Sequence, residues 1–221
     1  MSNNMKRGKH FYKCQNHGEA MNRDKIHELL RAKGSEKLYW HAQRVENTAI
    51  ELAQKYGLNQ EKAALAGLTH DYGKLLGHDE LIGLVLKNSI SIEPIMLWEP
   101  ALLHAPVGAW LLEHELGLQE QDVLDAVRQH TTGSEKMGLL SRVVYLADFI
   151  EPGRKFSGVE KVRDLALKQN QLEQALLVAV EMTIFSVLQK GRLLHGASIA
   201  MRNSIILFLR EKKLEEKHGK G

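Results

Sequence analysis

Apolar residues recur at spacings of three and four along almost the whole chain, and strand-like alternation is scarce. Val45, Ala49, Leu52 and Tyr56 form one such stripe. Only four prolines interrupt 221 residues. Stripes of this kind are buried by packing helix on helix, so the expected fold is all-α. The helix boundaries carry chemical marks. Gly57 follows the first stripe, where a left-handed helix end is cheapest without a side chain. Asn59 offers an N-cap to the next helix, with Glu61 in its first turn. That helix is expected to carry Leu65, Leu68 and Tyr72 inward and to end near Gly73 and Gly77. Pro106 fits only a first turn, which predicts a helix over about 104–117. Val123 and Val127 mark another, ending around His130, and one over 139–150 is stopped by Pro152 and Gly153. Three more are expected over 160–169, 171–189 and 196–214. No repeat or low-complexity linker divides the chain, so these helices are read as one globular domain over 22–210.

The ends read differently. Residues 1–21 carry Lys6, Arg7, Lys9 and Lys13 without a helical period or the apolar stretch of a secretory signal, and are read as a flexible basic leader. Met21 opens a better pattern, so either it is the natural start or the leader is dispensable, and deleting 1–20 should leave activity and melting temperature unchanged. Residues 211–221 are a charge run, read as a solvated tail. A net charge of +3 argues against nucleic acid as a partner. The longest apolar run, 175–188, is interrupted by Glu181 and read as too short to cross a bilayer, so no membrane partner is expected. Cys14 stands alone, which excludes an internal disulfide and suits a reducing, cytoplasmic location. His10, Cys14 and His17 have metal-like spacing but no second pair, so no zinc is expected there.

The chemistry lies in the eleven histidines. His41 lies four residues before Val45, and His130 three after Val127. Asp148 lies four after Val144, His70 and Asp71 follow Leu68 closely, and His104 opens the Pro106 helix. A polar group on an inward face needs a partner, because burying it alone costs roughly 1–3 kcal/mol or more. Any one of these histidines, taken singly, reads as a satisfied core residue. Four histidines and two aspartates together point to divalent metal, for which imidazole nitrogen and carboxylate oxygen are good ligands. The spacing turns them inward without showing that they meet. His27, His78 and His114 sit among charged neighbours and are expected to be exposed. Trp40, Trp98 and Trp110 are expected in the core or a pocket wall, with stacking on adenine as the alternative.

The order His41, His70-Asp71, Asp148 resembles the signature of the HD superfamily, and His104 and His130 resemble its two-metal branch. More closely, the chain resembles the YqeK family of symmetrical diadenosine tetraphosphate hydrolases. The resemblance is carried by the segments 41–45, 63–74, 102–109, 130–133 and 145–154 and spans roughly 22–210. It departs from the family at Ala42, Gly73 and 195–197, where serine, alanine and His-Pro-Asp are usual. The resemblance implies a helical HD-domain fold. It places His41, His70, Asp71 and Asp148 on one metal, and His104 and His130 on a second, with Asp71 bridging. It implies two divalent ions, iron by family preference with manganese or another divalent metal as alternatives, and a bridging hydroxide as nucleophile. Asp71, Lys74 and Arg154 are then the expected catalytic residues. Lys74, Thr131, Thr132, Arg154, Arg202 and Asn203 are the expected substrate contacts. For Arg44, phosphate binding and a structural salt bridge stay equally open. The implied substrate is diadenosine tetraphosphate, cut to two ADP. The alternatives are another HD nucleotide phosphatase or phosphodiesterase, and a non-catalytic nucleotide-binding module. A homodimer is left open.

Overall fold

A computed structural model describes residues 23–218. The leader, Met21 and the trio His10, Cys14 and His17 lie outside these residues. The helices run α1 Arg23–Lys33, α2 Glu36–Tyr56, α3 Gln60–Thr69, α4 His78–Asn88, α5 Ile95–Trp98 and α6 His104–His114. They continue with α7 Gln121–Gln129, α8 Leu139–Ile150, α9 Val159–Arg163, α10 Leu172–Gln189 and α11 Gly196–His218. Tighter turns occupy Tyr72–Leu75 and Pro100–Leu103, and a wider one Asp164–Lys168. The described residues contain no strand, and the fold is all-α.

The caps act as the sequence suggests. Gly57 ends α2 at φ +70°, and Asn59 Oδ1 accepts the Lys62 N–H at 3.0 Å to start α3. The core is the set of faces that α2, α3, α6, α7 and α8 turn to one another, with Val45, Leu52, Leu68, Leu111, Val127 and Val144 fully buried. The backbones of α2 and α3 lie close: a Cβ added at Gly67 would come within 3.0 Å of Glu46 Cα. This close crossing brings His41 of α2 beside the end of α3.

Four expectations need correction. The third helix does not run on toward Gly73. It ends at Thr69, Asp71 takes φ −98° and ψ 16°, and the Lys74 N–H turns back onto the Asp71 carbonyl. An unbroken helix would set neighbours about 100° apart around its axis; the break lets both His70 and Asp71 face inward, at 0% and 2% exposure. Next, Trp40 and Trp98 are exposed, and only Trp110 is half-buried, stacked on His114. Trp98 ends a helix of four residues, too short to cover it, and Trp40 meets only the edge of Tyr39. His27 is not exposed: it is half-buried and pairs with Glu46 at 3.1 Å. Finally, the apolar run at 175–188 belongs to the longer helix α10, which is long and apolar enough to cross a membrane by length and composition alone. In this fold α10 buries Leu172, Ala175, Leu176, Ala179 and Val180 and packs on α8, α9 and α11, while Phe185 and Leu188 of its second half are exposed. Helices α1, α4 and α5 are additions to the expected set, and the 160–169 helix divides into α9 and the wide turn after it.

Candidate metal centre

Six side chains from five segments converge. His41 comes from the second turn of α2 and Asp148 from the last turn of α8. His70 and His130 are the C-cap residues of α3 and α7, His104 opens α6, and Asp71 follows His70 directly. The carboxylate of Asp71 sits between two pairs of imidazoles. Its Oδ2 faces His70 Nε2 at 3.3 Å and His41 Nε2 at 3.6 Å. Its Oδ1 faces His104 Nε2 and His130 Nε2, both at 3.3 Å. Asp148 Oδ1 completes the first group, 3.0 Å from His41 Nε2.

The tautomers follow from what lies behind each ring. His70 Nδ1–H donates to the Gly67 carbonyl at 2.7 Å, His130 to Val127 at 2.7 Å, and His104 to Ala101 at 2.5 Å. A carbonyl can only accept, so in each ring the proton is on Nδ1. His41 Nδ1 meets the Glu151 carboxylate at 3.2 Å, which demands the same. A neutral ring then turns a lone pair inward at Nε2. Within each pair these lone pairs face one another, 3.2 Å apart for His41 and His70 and 3.1 Å for His104 and His130. Two acceptors at that distance repel unless a cation lies near both. Asp71 Oδ1 is also buried with no hydrogen-bond partner, costly for a carboxylate in a low-dielectric site. The residues therefore fit divalent metal.

The electrostatics at His130 agree. Burial holds the His130 imidazole down to about 4, so it is neutral and able to act as a ligand at neutral pH. Burial alone would raise both carboxylates. The field of the surrounding imidazoles, His70 first and then His104 and His130, instead holds Asp71 well below its usual range, and His41, His70 and Arg154 do the same for Asp148. Burial also opposes charge on His70, but Asp71 and Asp148 outweigh it and raise that group.

Around this centre the expected substrate residues separate. Lys74 Nζ lies 2.7 Å from Asp71 Oδ2 and is half exposed. Arg154 holds Asp148 Oδ1 through Nη2 at 2.5 Å and the Asp148 carbonyl through Nε. Thr131 Oγ1 is 2.9 Å from His130 Nε2 and 3.1 Å from His104 Nε2. Thr132 turns away: its hydroxyl donates to the Gly133 carbonyl and its own carbonyl accepts from Ser198. Arg202 is held by Glu181 of α10, and neither it nor Asn203 lines the two hollows that open on the centre. Arg44 forms an ion pair with Glu151 at 2.5 Å and also lines the larger hollow.

Glu151 was not singled out from the sequence. It is 2% exposed and joins His41, Arg44 and the Gly153 N–H. A carboxylate behind a ligating histidine fixes the ring and raises its basicity. The only signal in the chain is a glutamate three residues after Asp148, just before a Pro-Gly stop.

The helical fold and the histidine–aspartate centre define a metal-binding HD-type protein, and the HD domain family matches residues 38–153. The symmetrical bis(5'-nucleosyl)-tetraphosphatase of Halalkalibacterium halodurans is 40% identical over 187 residues, 85% of this chain and 98% of the relative. The protein of the same name from Bacillus subtilis is 39% identical over 172 residues, 78% of this chain and 91% of the relative. A crystal structure from Clostridium acetobutylicum, described as a predicted HD superfamily hydrolase involved in NAD metabolism, superimposes with a TM-score of 0.80. It is 38% identical and covers 84% of this chain and 97% of that one. The chain belongs to the HD domain family, in the group of the symmetrical bis(5'-nucleosyl)-tetraphosphatases.

Proposed function

We propose that this chain is a two-metal hydrolase of dinucleoside polyphosphates that cuts diadenosine tetraphosphate symmetrically to two ADP. The observation that carries the reading is Asp71, whose two oxygens face two separate histidine pairs. In this reading His41, His70, Asp71 and Asp148 hold one divalent ion, and His104, His130 and Asp71 the other. The donors are nitrogen and oxygen without thiolate, which suits iron, our preferred metal, and manganese. Bound divalent ions supply an activated water and neutralise charge on the reacting phosphoryl group.

The chain's own residues do the rest. Glu151 and the three backbone carbonyls keep every Nδ1 protonated, so that each Nε2 stays a lone-pair donor. Lys74 reaches from solvent to Asp71 and brings a cation beside the reacting phosphorus. The Arg154 guanidinium, anchored on Asp148, offers a planar group for phosphate oxygens. Thr131 adds a hydroxyl between the second histidine pair and the smaller hollow. An attacking water oxygen bonds to phosphorus, and the bridging oxygen leaves with one ADP.

The test is product analysis with protein loaded anaerobically with ferrous iron or manganese. ADP as the sole product supports the reading. AMP with ATP would keep the hydrolase and refute symmetrical cleavage. No turnover by fully metallated protein would favour another HD nucleotide phosphatase.

A further inference from the structure

Among the described residues two hollows open on the centre, and they are unlike. The smaller, about 200 Å³, lies on the His104 and His130 side and is walled by Thr131, Tyr145, Phe149 and Thr183. The larger, about 580 Å³, starts at His41 and Asp71 and runs out to the junction of α1 and α2. Lys74 lines both. Five cationic side chains line the larger one: Lys33, Lys37, Arg44, Lys74 and Arg154. Its two carboxylates, Asp71 and Glu151, are buried at the inner end and engaged by Lys74 and Arg44. The outer end is lined by Lys33, Gly34, Ser35, Lys37 and Leu38, with Glu115 outside this lining close enough to feel the Lys33 charge. Lys37 is exposed and has no ion pair or hydrogen bond to a described residue. An anionic ligand that begins at the metal centre and continues outward is what such a groove accommodates.

Symmetrical cleavage sets a matching demand. The broken bond leaves a nucleoside diphosphate on each side, so the centre must be flanked by two nucleotide positions. The larger hollow has both the volume and the charge for one of these halves. We infer that the groove from Asp71 to Lys33 and Lys37 is the subsite for one nucleoside diphosphate half of the substrate. The inference rests on the dinucleoside-polyphosphate reading above. Neither Lys33 nor Lys37 touches the reacting atoms. They act on binding, and through it on selection of long polyphosphates over a single nucleotide.

The experiment is the double variant Lys33→Glu/Lys37→Glu, with Lys33→Met/Lys37→Met as the milder form and Lys55→Glu as a charge control outside the groove. Two readouts separate the claims. Turnover of diadenosine tetraphosphate by the wild type tests the activity itself. Calorimetric binding of adenosine 5'-tetraphosphate to metal-loaded protein tests the groove whether or not turnover occurs. The glutamate pair should weaken that binding about 10-fold or more, as loss of charge-assisted contacts does, and the methionine pair about 3-fold. The KM for the dinucleotide should rise in parallel, with kcat within about 2-fold and metal content unchanged. Lys55→Glu should leave binding unaltered. Equal weakening by Lys55→Glu would reduce the effect to net charge and overturn the subsite, as would wild-type binding in both double variants. If the wild type does not turn over the dinucleotide but the variants bind tetraphosphate weakly, the groove stands and the substrate assignment fails.

Discussion

Three of the four histidines at the centre are oriented by their own chain, and the fourth is not. His70, His104 and His130 each donate Nδ1–H to the carbonyl three residues earlier. That carbonyl belongs to the same helix end or turn, so forming the local structure aims the ring. His41 sits within α2, where the carbonyls are taken by the helix itself, and its Nδ1 instead meets Glu151, 110 residues away. The three locally oriented rings are set as soon as their helices form. The His41 ring is correctly aimed only when α2 and the end of α8 have docked. The difference gives the centre one ligand whose geometry depends on tertiary packing, on the same side as the basic groove.

Mutations can break this comparison or sharpen it. The largest effect is expected for Asp71→Ala, which removes the one carboxylate facing both halves. Turnover should fall on the order of 10³-fold or more, and elemental analysis should find neither metal retained. If two metals and most activity persist, the bridging assignment is wrong. His130→Ala strikes only the locally oriented half: turnover should drop on the order of 10²-fold or more, with metal content falling toward one per chain.

Glu151→Gln tests the contrast itself. It keeps the shape and removes the charge that holds the His41 proton. Metal affinity should fall about 10- to 100-fold at one site only, read by titration, and Glu151→Asp should recover part of it. Unchanged affinity at both sites would mean that α2 alone aims His41. Gly73→Ala perturbs the other half through the backbone, because a Cβ there would overlap the His104 carbonyl. Overpacking of this kind costs about 1–3 kcal/mol, so thermal stability should drop and the His104 site should lose affinity first. The smallest effects come from the adjacent threonines. Thr131→Val should cut turnover several-fold, about the worth of one hydrogen bond, while Thr132→Val should stay within about 2-fold, because its hydroxyl bonds to Gly133. Equal losses would mean that the 130–133 loop rearranges on substrate binding.

Much of this was legible in the chain. The apolar stripes, Gly57, Asn59 and Pro106 marked helices that form at or within a few residues of their expected bounds, because helix ends are governed by local backbone chemistry. His41, His130 and Asp148 were legible for the same reason, since periodicity says which face a side chain occupies. What was missed has a different character. Glu151 drew no reading of its own, because its partner His41 lies 110 residues away. Trp40 and Trp98 were expected in the core or a pocket wall because bulk and apolarity usually mean burial, yet among the described residues no element covers either. The break after Thr69 was invisible because Asp71 leaves the helix for reasons that lie in the centre, and spacing cannot report that.

By itself, then, the sequence determined the helices, their inward faces, the pattern of histidines and aspartates that marks the family, and the local carbonyls that aim three of the rings. These depend on residues within a turn or two of each other. Tertiary structure alone decided that the six side chains meet, which oxygen of Asp71 serves which pair, that Glu151 stands behind His41, and that Lys33 and Lys37 line the same groove as Arg154. Those relations join atoms far apart in the chain, and only the docking of α2, α3, α7 and α8 against one core sets the distances between them.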